Sequence, residues 1–177
     1  MTGYVLGALL VVLILGIAAA AVIFNGLVAL RNEIRRAWSN IDVLLKQRYD
    51  EIPRLVEVCK GYVKHEREVL ELVAQARAYA FQARGIVAQA HAEERLSEAV
   101  RSVFAVVEKY PDLKANESFL KLQARITELE NEIADRREMY NQCVTAFNTR
   151  RESFPDLILA DTLGFKKEAW WRVSKSR

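Results

Sequence analysis

The residues able to do chemistry in this sequence are few and poorly placed for it. His65 and Glu66 stand together like the first half of the zinc-protease signature HExxH, but Val69 holds the place of the second histidine. That signature works because two imidazoles four residues apart share one helix face and bind one zinc together with a third ligand. The only other histidine is His91, so no metal-ligand set is expected, and His65-Glu66 reads as a solvated helix face. The chain carries no G-x-S-x-G elbow, phosphate loop or glycine-rich dinucleotide turn. Its carboxylates mostly lie within a helical turn of a lysine or arginine, as Asp42 does with Lys46. No catalytic residue, metal or cofactor is expected, and the chain reads as a non-enzyme.

Three other sets of residues offer recognition instead. Asn32, Arg35, Ser39, Asp42, Lys46 and Tyr49 share one face of a predicted helix, opposite an apolar stripe. Asn141, Thr145 and Asn148 make a short uncharged polar stripe late in another. Amides and hydroxyls so placed can specify a partner or a register, ordinary solvated surface being the alternative. Both stripes are candidates for an oligomer or partner interface. At the end of the chain, Lys166, Lys167, Trp170, Trp171 and Arg172 interleave cations with tryptophans, as a membrane–water interface favours. The alternative there is that Leu157, Ile158, Leu159, Leu163 and Phe165 pack across the end of a helical bundle and the basic tip is a frayed tail.

The elements that must position these residues begin with a span free of charge. Residues 1–30 contain no Asp, Glu, Lys or Arg, and from Tyr4 to Leu30 the run is apolar on every helical face except at Asn25. About 20 helical residues cross a bilayer core, so the run predicts a transmembrane anchor. A cleaved signal peptide, with Ala18, Ala19 and Ala20 as small residues at the cut, is the competing reading. Against it, the run is longer than a signal core and no Lys or Arg precedes it. Arg31, Arg35, Arg36, Lys46 and Arg48 follow the span, so the positive-inside rule places the C-terminal body in the cytoplasm. Within the anchor, Gly3-x-x-x-Gly7 and Gly16-x-x-x-Ala20 permit close approach of a second helix.

Beyond the anchor the apolar period is helical throughout. Leu30, Ile34, Ala37, Ile41, Leu44 and Leu45 continue the anchor as a stalk. Residues 49–53 predict a tight turn into a second helix, with a proline kink in one long helix as the alternative. The second helix carries Ile52, Leu55, Val56, Cys59, Val63, Leu70 and Val73, and Gly85 closes it. Residues 89–94 are polar and predict a loop. A third helix carries Leu96, Val100, Val103, Val106 and Val107 and ends at Pro111. Asn116 caps a fourth, in which Phe119, Leu122, Ile126, Leu129, Ile133, Arg136, Tyr140, Cys143 and Phe147 keep the three-and-four step of a coiled-coil seam. Arg136 is its one polar intruder, read as snorkelling at an edge. The fold class is all-α: an N-terminal transmembrane helix continuing into an antiparallel bundle of about four long helices. The domains are an anchor over 1–30, a bundle over 31–155, and an apolar then basic segment over 156–177.

Composition agrees. Among 177 residues there are 26 Lys and Arg against 23 Asp and Glu, a net charge of +3, and the two signs are mixed, which excludes the basic footprint of a nucleic-acid binder. The 3 prolines and 7 glycines leave the body almost free of helix breakers. The two cysteines, Cys59 and Cys143, fall on apolar faces and read as buried free thiols, as suits a cytoplasmic body.

The run LRNEIRRAWSNIDVLLKQRYDEIPRLVEVCKGYVKHE, from Leu30 to Glu66, resembles the LemA family of bacterial membrane proteins. EKYPDLKANESFLKLQ (Glu108 to Gln123), RREMYNQCVTAFNT (Arg136 to Thr149) and Phe154-Pro155 match it as well, whereas EAWWRVSKSR at the end matches no block of the family. The resemblance implies one N-terminal anchor in the inner membrane, the N-terminus outside, and a cytoplasmic helical bundle. It brings no enzymatic reaction. One relative, the magnetosome protein MamQ, is associated with building an internal membrane compartment, and others are encoded beside membrane proteases. The expected function is thus a membrane-anchored scaffold that self-associates and organises membrane or membrane-protein assemblies. The alternative is an adaptor for a membrane protease or signalling protein. The expected partners are the lipid bilayer, further copies of the chain and a membrane protein, with no nucleic acid.

Overall fold

The computed structural model describes residues 1–63 and 66–172. The His65-Glu66 pair therefore lies partly outside the described residues. Among those described there is no strand, and six helices follow one another: α1 (Thr2–Lys60), α2 (Arg67–Gln82), α3 (Ile86–Val107), α4 (Pro111–Lys114), α5 (Glu117–Glu152) and α6 (Asp156–Thr162). Two of them dominate, α1 with 59 residues and α5 with 36. By contact the chain divides into two compact units, Met1–Ala37 with Gln142–Glu168, and Trp38–Asn141 with the residues from Ala169 onward.

The turn expected at residues 49–53 does not form. Helix α1 continues through Pro53 as far as Lys60, and the chain turns at Gly61 and Tyr62 instead. A proline inside a helix has no N–H, so the carbonyl four residues earlier loses its partner. Here that carbonyl belongs to Tyr49, and Arg77 Nε on α2 donates to it at 2.6 Å. A side chain 28 residues away thus restores the hydrogen bond that the proline removes, and the helix survives.

In the second unit, α2 and α3 form a hairpin. Its connection passes through Gly85 at φ +82°, a left-handed backbone that a side chain would strain, and the Gly85 carbonyl accepts the Gln89 N–H at 2.9 Å. Residues 89–94 are helical rather than a loop, because Gln89 and Glu93 point inward, four residues apart on one face of α3, and are buried. Asn116 caps α5 as its sequence predicts, Oδ1 accepting from the Ser118 and Phe119 N–H groups at 2.9 and 3.1 Å. The apolar core of this unit includes Ile41, Leu45, Ile52, Leu55, Leu96, Leu113, Ile126 and Leu129, none more than 1% exposed. Each such side chain contributes about 1.5–3 kcal/mol on burial. Cys59 is also fully buried, and desolvation pushes its thiol up to about 11.

The inward positions of α5 differ from the expected stripe by one residue in two places. Arg136 is exposed beside Met139, while Arg137 is half-buried; Val144 is fully buried where Cys143 was expected. The observed sequence of inward residues, Ile133, Arg137, Tyr140, Val144 and Phe147, keeps a step of four and three.

In the first unit, α1 and α5 run antiparallel. Cys143 feels the carboxylate of Glu33, which with burial raises its thiol pKa, and seven residues along α5 the Arg150 guanidinium abuts Gly26, seven residues back along α1. A Cβ on Gly26 would stand 2.4 Å from that guanidinium, so glycine is what lets Arg150 cross here and pair with Asp156 Oδ2 at 2.6 Å. Phe165 sits edge-on to Phe24 with centroids 5.9 Å apart, and Arg31 lies over its ring at 5.9 Å.

Candidate interaction surfaces

From Thr2 to Val22 helix α1 is apolar and uncovered by protein, and α1 is the one helix among the described residues long and apolar enough to cross a membrane. That stretch rises about 30 Å at ~1.5 Å per residue, the thickness of a hydrocarbon core. From Ile23 on, the chain covers the helix itself: Ile23 is 8% exposed and Leu27 is buried completely. The uncovered apolar surface is thus shorter than the charge-free run of the sequence.

The stripe read on the stalk divides by burial. Asn32 and Arg35, in the first unit, are exposed. In the second unit Ser39 and Lys46 are exposed and Asp42 half-buried, with Lys46 Nζ donating to Asp42 Oδ2 at 2.6 Å. Asp42 and Lys46 border a groove of about 400 Å³ with Trp38, Tyr49, Phe81 and Gln89. Tyr49 leaves the surface set, because it is 5% exposed and its hydroxyl is held inside the unit. That hydroxyl donates to Glu93 Oε1 and accepts from Gln89 Nε2 at 2.8 Å. Burial and the Glu93 charge hold the phenol far above its ordinary value, so it stays neutral.

Around Tyr49 lies a polar interior that the sequence reading missed. Arg48 is 2% exposed, donates to Glu93 Oε2 and to Ser97 Oγ (3.0 Å), and has Glu130 Oε1 at 3.5 Å. A signal for it was present: Arg48 stands three residues after Leu45 and four before Ile52, at a position where the apolar period asks for a core residue.

The amide stripe of α5 is used by the chain's own C-terminal segment. In the first unit Asn148, 3% exposed, takes the Glu168 backbone from both sides: Nδ2 donates to the carbonyl at 2.9 Å and Oδ1 accepts the N–H at 3.0 Å. In the second unit Asn141 does the same to Trp171, at 3.1 and 2.8 Å. Neither amide is therefore a free surface for a partner. Thr145 between them is exposed. Such an amide grips an extended backbone as a neighbouring β-strand would, satisfying a donor and an acceptor at once.

The basic and aromatic set divides in the same way. Trp171 is 2% exposed, with its ring 5.5 Å from Trp38 and the Arg137 guanidinium over it at 5.3 Å, so it belongs to the interior and not to a lipid surface. Trp170 is half-buried under Arg172. Lys166, Lys167 and Arg172 are exposed, Lys167 pairing with Glu152. Of the apolar residues before them, Phe165 and Ala160 pack inward, whereas Leu157, Ile158 and Leu163 face outward. Among the described residues no three His, Cys, Asp or Glu side chains stand close enough to hold a metal. His91 is half-buried on α3.

An apolar helix fit for a membrane, joined to an all-helical body whose buried ionic groups are paired with one another, defines a class: a membrane-associated helical protein. The chain belongs to the LemA family, whose sequence profile matches residues 37–177. It is 27% identical over 155 residues to the protein LemA of Metamycoplasma hominis, covering 85% of this chain and 69% of that one. It is 31% identical over 74 residues to the magnetosome proteins MamQ 1 and MamQ 2 of Paramagnetospirillum magneticum, covering 42% of this chain and 27% of each of those. The LemA family is membrane-associated and is not known as an enzyme family.

Proposed function

We propose that this protein is a non-enzymatic scaffold of the inner membrane, single-pass, which self-associates and organises membrane or membrane-protein assemblies. The observation that carries the reading is an uncovered apolar helix whose own continuation carries a polar face, with Ser39 and Lys46 exposed and Asp42 half-buried. Folding needs one buried face per helix, and α1 has that in Ile41, Leu45 and Ile52. Anchors sharing one membrane plane hold such faces at high local concentration, so weak lateral contacts add up. The relatives named as magnetosome proteins support a role in membrane organisation.

The test is the native mass of the chain extracted in mild detergent. A homo-oligomer is expected, and Asp42→Arg is expected to dissociate it while helicity and melting stay unchanged. The Asp42–Lys46 pair is a surface pair within one helix, worth only about 0.3–0.5 kcal/mol, so its loss does not unfold the protein. A monomeric native chain would sink the scaffold reading. A variant that keeps its native mass would remove this face from the contact, and a stoichiometric foreign chain would favour the adaptor.

The body is proposed to lie in the cytoplasm, supported by the arginines at positions 31, 35 and 36 that follow the anchor. Ala88→Cys, on an exposed position of α3, is expected to resist a membrane-impermeant maleimide in intact cells and to react after lysis. Labelling before lysis would reverse the orientation.

A further inference from the structure

We infer that α6 and the turn before it form a second lipid contact, an apolar foot that rests in the bilayer interface beside the anchor. This rests on the reading of residues 2–22 as the membrane-spanning stretch, and all the residues concerned belong to the first unit. Phe154 is 82% exposed, Ile158 61%, Leu163 48% and Leu157 39%. On a seven-residue helix whose Asp156 and Ala160 face inward, the outward positions of a water-exposed protein would be polar. Here two of them are Leu157 and Ile158.

Contacts with α1 give this patch its height. The Arg150 guanidinium, near the end of α5, reaches Gly26, so the chain that follows α5 lies toward the uncovered part of α1. Phe165, whose N–H donates to the Ala160 carbonyl of α6 at 2.9 Å, lies edge-on to Phe24 with centroids 5.9 Å apart, two residues from Val22. Val22 is where the uncovered part of α1 ends and Ile23 begins to be covered by the chain. A bilayer that surrounds residues 2–22 has its hydrocarbon boundary at this level, so the exposed phenylalanine and aliphatic side chains meet lipid there. The Phe24–Phe165 contact sets this segment beside the anchor, and this favours lipid over a protein as the occupant of the patch. Lys166 and Lys167, both exposed, follow directly after Phe165 and can reach anionic headgroups. Arg150 and Arg151, bonded to Asp156 and to Asp161, hold α6 against the end of α5, so the foot is fixed to the unit rather than hinged.

The test uses the full chain in nanodiscs of phosphatidylcholine and phosphatidylglycerol, one chain per disc, with a nitroxide on Ile158→Cys or Phe154→Cys. Reference labels are Leu13→Cys in the anchor and Ser102→Cys on the exposed face of α3. The labels are placed on a Cys143→Ser background, whose unsubstituted form is the blank, since the remaining thiol, Cys59, is fully buried. At Ile158 and Phe154 the label is expected to collide with dissolved oxygen more than with an aqueous nickel chelate, as at Leu13, reversing the order found at Ser102. If Leu13 shows lipid contact while Ile158 and Phe154 behave like Ser102, the foot is overturned and the anchor stands. If Leu13 too is water-exposed, both fall. Protection at Ile158 that appears only when several chains share a disc would overturn the lipid contact in favour of a contact between copies.

Discussion

Replacing Glu93 with alanine is expected to destabilise the protein by about 3–5 kcal/mol, because it leaves the buried Arg48 cation without its principal partner. The Glu93 carboxylate serves three neighbours at once, accepting from Arg48 Nη2, the Tyr49 hydroxyl and Gln89 Nε2. Arg48 would keep Ser97 at 3.0 Å and Glu130 at 3.5 Å, and the second of these contacts is too long to replace a direct charge-assisted bond. Denaturant unfolding of the full chain in detergent, followed by helical circular dichroism, reads the loss. Glu93→Gln keeps the shape and one acceptor oxygen but sets an NH2 where a second acceptor stood, and should fall between the parent and Glu93→Ala. The double change Arg48→Met with Glu93→Leu should recover most of the stability, since an apolar pair of similar volume often matches a buried ion pair. A cost below about 1 kcal/mol for Glu93→Ala would mean that water reaches Arg48 and that the cluster is no part of the core.

That cluster also shows where the sequence stops being readable. The helical class, the uncovered apolar helix, the Asn116 cap and the break near Gly85 follow from local signals, namely period, capping chemistry and backbone freedom. Whatever depends on a distant partner does not. Pro53 looks like a helix start until Arg77 supplies the Tyr49 carbonyl with a donor. Gln89 and Glu93 look like loop residues because they are polar, and they stand on a helix whose inner face bonds Tyr49 and Arg48, at least 40 residues earlier. Asn141 and Asn148 have the look of a partner-reading stripe, and the chain supplies that partner itself in the backbone of Trp171 and Glu168. In each case the residue's own character suggests one place, whereas long-range pairing decides another. On the stalk, Asp42 and Lys46 pair with each other across one helical turn, as their spacing in the sequence predicts.

The segment from Ala169 to Arg172 gives the second large effect: Trp171→Ala is expected to lower stability by about 3–5 kcal/mol, the usual range for removing a buried aromatic side chain. A tryptophan set among lysines and arginines reads from the sequence as surface. Here its ring stacks near Trp38 and under Arg137, and its backbone N–H and carbonyl are both taken by Asn141. Its indole Nε1 makes no hydrogen bond, so the ring contributes by area and stacking alone. Trp171→Phe should therefore cost much less, about 1 kcal/mol, while Asn141→Ala, which strips two backbone hydrogen bonds, should cost about 1–3 kcal/mol. If the stacking with Trp38 is genuine, the double variant Trp38→Ala with Trp171→Ala will lose less than the sum of the two single losses, by about 0.5–1.5 kcal/mol. Denaturant midpoints at constant slope measure these variants and the single Trp38→Ala. Full additivity would show that the two rings do not share an energy. A Trp171→Ala chain as stable as its parent would show that the segment from Ala169 to Arg172 adds nothing to the core it lies on.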